Sequence, residues 1–195
     1  INIQSHKRVF VVLTERTVNK LTDSSSYPTS TEDQKGCLFS EGQLIFSGSG
    51  SLTVSGKYKH AVCSDDYILI RQGVQLTVAA AATDGIHTNE AILIEGGTVQ
   101  VTSTDEGIDC DEGAVVINDG TVTVTTKAAS AKGIKGYGNV TINGGTINVT
   151  AKGGDSSEGI ESKSVLTIND GTVEVTAYDD CINAASGIVI TGGSV

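Results

Sequence analysis

Acidic side chains concentrate in one short segment of the sequence. Asp105, Glu106, Asp109, Asp111 and Glu112 all lie within eight residues. Calcium binds oxygen ligands, and carboxylates and backbone carbonyls are its usual ligands in proteins. The segment therefore has the chemistry of a calcium site, although its spacing does not fit an EF-hand. A solvated acidic turn is the alternative that this segment equally allows.

Charged residues also recur at fixed positions around five isoleucines, which are Ile86, Ile108, Ile134, Ile160 and Ile182. The residues two positions before them are Asp84, Glu106, Lys132, Glu158 and Asp180. The residues one position after them are His87, Asp109, Lys135, Glu161 and Asn183. If these segments stack as strands about 4.8 Å apart, each side chain faces its counterparts. Like charges in such a stack repel unless cations lie between them. We therefore predict calcium ligands at Asp84, Asp105, Glu106, Asp109 and Asp111.

Two lysines interrupt the acidic series. Lys132 and Lys135 stand between acidic neighbours, which allows three interpretations: charge-balancing ladder pairs, contacts to sugar carboxylates, or a base in an enzyme. We predict carbohydrate contacts for Lys132, Lys135, Tyr137 and His87. No catalytic residue is predicted, because the GxSxG elbow, the P-loop and a histidine paired with a nucleophile are all absent.

The segments that position these residues alternate apolar with polar side chains. Thr98–Thr102, with the sequence TVQVT, is one example. A period of two with β-branched residues is typical of strands that bury one face, and Gly, Asn and Asp fill the breaks between them. No stretch has a sustained helical period. The sequence therefore predicts an all-β chain.

The strands belong to an internal repeat. Successive members of the five isoleucines are separated by 22, 26, 26 and 22 residues, and each repeat contains three short apolar pieces. Three short strands per repeat, stacked coil on coil, describe a parallel β-helix. We predict a right-handed parallel β-helix with three-strand coils of 22–26 residues. Its inward valines and isoleucines are expected to form continuous ladders around a long, narrow core.

We predict that residues 1–195 form a single β-helix domain. Residues 1–35 are expected to supply the first coils and an N-terminal cap, with the polar segment 22–35 as a loop. Residues 36–195 are expected to form the regular coils. Val195 lies inside a repeat, so the C-terminal end is expected to be uncapped or covered by another molecule.

Composition and charge exclude several functions. Thirteen basic and 23 acidic residues give a net charge of −10, which argues against nucleic-acid binding because that needs a cationic surface. The apolar runs are too short to span a membrane. The four cysteines have no CxxC spacing, which argues against a zinc site and favours free, mostly buried thiols. The sequence has no methionine, so any signal peptide is expected to lie outside this chain.

The sequence of the repeats resembles a known family. Four segments are similar to a secreted bacterial family of carbohydrate-binding parallel β-helix proteins. They are Thr17–Asp23, Gly36–Ile70, TDGIHTNEAILIEGGTVQVT and DEGIDCDEG. The resemblance runs from about Val9 to the end of the chain. It implies a right-handed β-helix like that of pectate lyases, bound calcium, and non-catalytic binding of plant cell-wall polysaccharides. The family's acidic turn matches Asp105, Glu106, Asp109 and Asp111 best, and Asp84 and Asp180 in part.

The chain departs from the family pattern in its later coils. The residues that stand in place of the family's acidic-turn residues are Lys132, Lys135, Glu158 and Glu161. In addition, Cys181 stands where the family has a glycine. These departures argue against metal binding in those coils. A net charge of −10 should also repel a polyuronate, so calcium held by the acidic turns is expected to bridge to the sugar carboxylates.

Together these observations predict a secreted or cell-surface, non-enzymatic protein with calcium as its cofactor. Its predicted partner is a plant-type polysaccharide, either pectin (polygalacturonate) or cellulose. One alternative is a calcium-dependent polysaccharide lyase with Lys132 or Lys135 as the base, although the three arginines all lie outside the acidic coils. The other alternative is a structural or adhesive surface stalk. The sequence does not fix the oligomeric state.

Overall fold

The computed structural model describes residues 1–195 as 23 strands with no helix, and so with no helix that could cross a membrane. The strands are numbered in chain order: β1 Asn2–Ile3, β2 Val9–Leu13, β3 Val18–Thr22, β4 Gly36–Ser40, β5 Leu44–Gly48, β6 Ser51–Gly56, β7 His60–Ser64, β8 Tyr67–Ile70, β9 Gln75–Ala81, β10 Ile86–Thr88, β11 Ala91–Ile94, β12 Thr98–Thr102, β13 Ile108–Cys110, β14 Ala114–Ile117, β15 Thr121–Thr126, β16 Lys132–Gly136, β17 Val140–Ile142, β18 Thr146–Ala151, β19 Glu158–Ser162, β20 Val165–Ile168, β21 Thr172–Ala177, β22 Ile182–Ala184 and β23 Gly187–Ile190.

Three parallel sheets run along the molecule. Sheet 1 has the order β1-β4-β7-β10-β13-β16-β19-β22, and sheet 2 has the order β2-β5-β8-β11-β14-β17-β20-β23. Sheet 3 has the order β3-β6-β9-β12-β15-β18-β21. Each strand therefore pairs with the strand that holds the same place in the next coil. This confirms the predicted all-β parallel β-helix with three strands per coil.

Stacked aliphatic side chains fill the interior. Ile86 pairs with Ile108, and Ile108 pairs with Ile134, so that isoleucines from successive coils form a ladder. All three side chains are completely buried, and they belong to a continuous cluster of 35 buried residues. Because side chains alternate between the two faces of a strand, a shift by one residue would turn polar residues into this core. The ladder therefore fixes the register of the charged residues beside it.

Glycines bring the coils into close contact next to the isoleucine ladder. A Cβ atom on Gly107 would lie 2.1 Å from Val124 Cγ1, and one on Gly133 would lie 2.1 Å from Val149 Cγ1. Only glycine fits at such positions without moving its neighbours. The recurring pattern X-Gly-Ile-X thus places Gly and Ile against the core and the two flanking residues on the outer face of sheet 1.

An asparagine ladder lines one edge of the coils. Asn143 Nδ2 donates to Asn118 Oδ1 at 2.8 Å, and Asn169 Nδ2 donates to Asn143 Oδ1 at 2.8 Å. Thr191 Oγ1 extends the series by donating to Asn169 Oδ1 at 3.0 Å. These exposed amides bond to one another from coil to coil, which aligns the turns that precede sheet 3.

The N-terminal strands already follow the coil pattern. Val9–Leu13 pairs with β5, and in β3 Asn19 and Leu21 pair with Leu52 and Val54 of β6. Between β3 and β4, residues 23–35 contain no strand. Tyr27 from this segment stacks on Tyr58, with ring centroids 4.4 Å apart.

All four cysteines are free thiols, as the sequence favours. Cys37, Cys63 and Cys110 are buried, whereas Cys181 is exposed. Cys110 belongs to the aliphatic core cluster, but Cys63 does not, because it lies on the outer face of sheet 1.

Candidate functional site

The outer face of sheet 1 carries two rows of polar side chains. We call the residues two positions before the core ladder the Asp84 row: His60, Asp84, Glu106, Lys132, Glu158 and Asp180. We call the residues one position after the ladder the His87 row: Cys63, His87, Asp109, Lys135, Glu161 and Asn183. Successive residues of a row come from successive coils, as the repeat predicts. The two rows run side by side, so charges from both rows meet.

Two histidines and one carboxylate form the N-terminal end of these rows. The rings of His60 and His87 stack with centroids 4.3 Å apart and planes at 11°. Asp84 Oδ2 lies 3.0 Å from His60 Nδ1 and 3.3 Å from His87 Nδ1. Thr83 Oγ1 lies 3.0 Å from the same nitrogen of His60. All of these groups are mostly buried, since the side chains of His60, His87 and Asp84 expose 16%, 13% and 10% of their surface.

Charge in this end of the site is balanced within the protein. Burial disfavours ionisation of Asp84, but hydrogen bonds from His60 and His87 outweigh it and hold the pKa of Asp84 well below its usual value. Burial likewise disfavours a charged His87, yet hydrogen bonds to Asp109 and Asp84 raise the pKa of His87 to about 9. A cationic His87 thus lies between two carboxylates.

Asp84 also takes part in a second cluster, which we call the acidic corner: Asp84, Asp105 and Glu106. These residues each offer a carboxylate oxygen, and the three oxygens lie within 4.8 Å of one another. Asp84 Oδ1 accepts a hydrogen bond from the backbone N–H of Glu106 at 3.1 Å. Burial and the charges of Asp84 and Asp105 raise the pKa of Glu106 to about 8. Neither Asp105 nor Glu106 forms an ion pair, whereas Asp84 pairs with His60 and His87.

Asp109 and Asp111 lie on the other side of the rows and are paired with cations of the protein. Lys135 Nζ lies 3.1 Å from Asp109 Oδ1 and 3.9 Å from Asp111 Oδ1. His87 Nδ1 lies 3.2 Å from Asp109 Oδ2, and its Nε2 lies 3.7 Å from Asp111 Oδ2. Burial opposes the charged form of Asp109, but His87 and Lys135 outweigh it and lower the pKa of Asp109. The five predicted metal ligands therefore divide into an acidic corner and a pair compensated by lysine and histidine.

The two lysines predicted to contact carbohydrate make internal contacts. Lys132 Nζ donates to the backbone carbonyls of Ser130 and Ser156, at 3.0 and 2.8 Å, and lies 3.8 Å from Glu158 Oε1. Lys135 is bound to Asp109 as described. Of the two other predicted contacts, His87 lies between carboxylates, and Tyr137 follows β16 with a side chain that is 61% exposed.

The rows continue beyond the lysines with glutamates that also find partners. Lys163 Nζ donates to Glu161 Oε1, and Asn183 Nδ2 donates to Glu158 Oε2 at 3.2 Å. Burial, followed by the charge of Glu161, raises the pKa of Glu158. The two glutamates of the later coils thus have polar partners within the protein.

Sequence reasoning missed two members of the site, His60 and Cys63. Both flank Ala61-Val62, which stands where the later coils have Gly and Ile. The repeat includes Val62 as the counterpart of Ile86, and comparing the residues around Val62 with those around Ile86 would have placed His60 beside Asp84 and Cys63 beside His87. The signal was therefore present in the strand alignment.

Comparison with known proteins adds one result. A family model described as carbohydrate-binding domain-containing protein matches residues 1–195. No curated protein and no solved structure matches the chain. The matched residues include both rows and the acidic corner.

Proposed function

The chain belongs to the carbohydrate-binding domain-containing protein family, and from this premise we propose that the outer face of sheet 1 binds polygalacturonate with the help of calcium. The acidic corner is the observation that carries this proposal. Its three carboxylate oxygens lie within 4.8 Å of one another. Asp105 and Glu106 form no ion pair, and burial, followed by the charges of Asp84 and Asp105, raises the pKa of Glu106 to about 8. A cation supplied from solution offsets the repulsion among these three carboxylates.

The ligand chemistry of the acidic corner fits calcium. Calcium prefers hard oxygen ligands and tolerates irregular coordination, and Asp84, Asp105 and Glu106 offer three carboxylates close together. Asp109 and Asp111 fit less well, because the ammonium of Lys135 lies 3.1 Å from Asp109 Oδ1. We therefore assign calcium binding to Asp84, Asp105 and Glu106. When bound, calcium supplies the local positive charge that attracts sugar carboxylates to an acidic protein.

An acidic polysaccharide suits this face better than cellulose does. Flat neutral glucans are usually held by rows of exposed aromatic rings. The exposed tyrosines here do not form such a row, since Tyr58 stacks on Tyr27, and Tyr137 and Tyr178 follow different sheets. We assign Tyr137 as a ring contact beside the rows. Lys132 and Lys135 position the carboxylates and make no primary sugar contact.

Family membership indicates a binding protein, and the environment of Lys135 is unsuited to a lyase. Burial lowers the pKa of Lys135, but Asp109 and the neighbouring carboxylates outweigh it and raise that pKa above its usual value. A lysine that acts as a base near neutral pH needs the opposite shift. Because polygalacturonate is an extracellular polymer, we place the protein outside the cell, secreted or at the cell surface.

The proposal is tested by calorimetric titration of polygalacturonate into the protein with calcium and, separately, with chelator. We expect binding only with calcium, and a loss of at least about tenfold in affinity in Glu106→Gln. Glu174→Gln is the matched control, because Glu174 is exposed on sheet 3 and forms no ion pair or hydrogen bond. Binding that persists in chelator, or that is equal in both variants, would overturn the proposal. Release of unsaturated product, followed by absorbance, would instead identify a lyase.

A further inference from the structure

We infer that the N-terminal end of the rows is a second metal site, specific for a borderline divalent ion of the zinc class and ligated by His60, His87, Asp84 and Cys63. These four residues come from only two adjacent coils, two from each coil. His60 and Cys63 flank Ala61-Val62 in one coil, and Asp84 and His87 flank Gly85-Ile86 in the next. The pairing of Val62 with Ile86 brings the four side chains into one square on the outer face of sheet 1.

The distances in this square match those of a metal site. His60, Cys63 and His87 each offer a ligand atom, and these atoms lie within 4.8 Å of one another. Asp84 Oδ2 lies 3.0 Å from His60 Nδ1 and 3.3 Å from His87 Nδ1. Tetrahedral zinc with bonds of about 2.0–2.1 Å to nitrogen and oxygen keeps its ligand atoms about 3.3–3.4 Å apart. Asp84 Oδ2 therefore already lies close to this ligand-to-ligand distance from both nitrogens, and rotation of the stacked rings would direct both Nδ1 atoms at one ion.

The donor set separates this site from the calcium site. Imidazole nitrogen and thiolate sulfur are the ligands of zinc and cobalt, whereas calcium selects oxygen. Asp84 joins the two clusters with different atoms, since Oδ2 faces the histidines and Oδ1 faces the backbone of Glu106. The two ions would thus have separate ligands except at this one carboxylate.

Polar groups surround both imidazoles. Thr83 Oγ1 lies 3.0 Å from His60 Nδ1, and Asp109 Oδ2 lies 3.2 Å from His87 Nδ1, so an ion at these nitrogens would replace the two contacts. On the opposite side of the His87 ring, Nε2 lies 3.7 Å from Asp111 Oδ2, and a partner at this second nitrogen is the kind that orients a ligating imidazole. Cys63 is completely buried, whereas the histidine side chains keep 16% and 13% of their surface exposed. The histidine edges therefore give an ion a route to the buried thiol. The absence of CxxC spacing excludes a zinc-finger arrangement but not a site assembled from two coils.

Cobalt substitution tests this inference, because Co²⁺ reports its own geometry and ligands. Chelator-treated wild-type protein is titrated with Co²⁺ in the presence of excess calcium. We expect one equivalent to bind with the intense visible absorption of a tetrahedral site and with a thiolate-to-cobalt charge-transfer band. Zinc should displace the cobalt, and calcium should not.

Variants then assign the ligands. Cys63→Ser should lose the charge-transfer band and bind at least about tenfold more weakly, whereas Cys110→Ser, which changes another buried thiol, should keep the wild-type spectrum. His87→Ala should lose the tetrahedral spectrum, whereas His6→Ala should not, because the side chain of His6 is 88% exposed and distant in sequence from the site. A weak, octahedral wild-type spectrum, or one without the thiolate band, would overturn the inference even if a variant failed to fold.

Discussion

The imidazole rings of His60 and His87 stack face to face with centroids 4.3 Å apart, and both direct Nδ1 at the same oxygen of Asp84. The two histidines are separated by 27 positions in the chain and meet because one coil lies directly on the next. The carboxylate of Asp84 is therefore a shared polar partner of both imidazole rings at the start of the charged rows. Loss of the Asp84 carboxylate would remove a partner from both histidines at once.

Replacing Asp84 with asparagine tests that dependence. In Asp84→Asn the cationic His87 loses a carboxylate partner in a mostly buried position, so we expect the free energy of unfolding to fall by about 3 kcal/mol. Urea denaturation in chelator at neutral pH measures the change. Asp155→Asn is the control, because Asp155 is exposed and has no ion pair; equal losses in the two variants would contradict the prediction.

Glu106 should make the metal-free protein less stable as pH rises. Burial and neighbouring carboxylates raise its pKa in the folded state to about 8, above the usual 4.5 that applies to the unfolded chain. The folded state therefore binds more protons between pH about 4.5 and about 8, so stability falls as the pH rises through that window.

The variant Glu106→Gln removes this penalty. In chelator we expect it to be more stable than wild type by about 1–2 kcal/mol near neutral pH, because solvent screens the partly buried carboxylate, and equal to wild type below pH about 4. Thermal unfolding across the pH range measures the difference. Added calcium should reverse the order, because only wild type keeps the full acidic corner. A difference that is constant with pH would show that the titration of Glu106 is not its cause.

Gly133 should tolerate no side chain. A Cβ atom there would lie 2.1 Å from Val149 Cγ1 and 2.6 Å from the backbone oxygen of Gly159, so Gly133→Ala must push two coils apart. We expect a loss of about 1–3 kcal/mol in urea denaturation. Gly96→Ala is the control, because its nearest neighbour is the side-chain Cγ of exposed Gln72, which can move; its loss should stay within about 0.5 kcal/mol. Similar losses at both positions would show that close packing is not the reason for Gly133.

The repeat predicts which residues become neighbours, but not which atoms meet. The pairing of Asp109 with Lys135 follows from aligning Ile108 with Ile134, because only this strand register buries both isoleucines in the core. The choice of Lys135 between Asp109 and other nearby carboxylates depends on the rotamer of a long side chain and on competition with His87. The position of His60 was predictable as well, since His60 stands two positions before Val62 as Asp84 stands two positions before Ile86, but its contact with Asp84 depends on side-chain rotamers.

A substitution of Lys135 distinguishes a structural role of the lysines from a sugar-binding role. Its Nζ lies 3.1 Å from Asp109 Oδ1, and Asp109 is almost completely buried. In Lys135→Met the carboxylate keeps only His87 as a cationic partner, so we expect a loss of about 1–3 kcal/mol of stability.

Binding should respond differently from stability in Lys135→Met. Because the ammonium is already committed to Asp109, calcium-dependent affinity for polygalacturonate should remain within about twofold of wild type. Lys127→Met, which removes an exposed and unpaired lysine of equal charge, should change neither quantity. Urea denaturation and calorimetry on the same samples separate the two roles. A tenfold loss of affinity with unchanged stability would transfer Lys135 from the ladder to the sugar-binding surface, because only a contact made in the complex can weaken binding without weakening the fold.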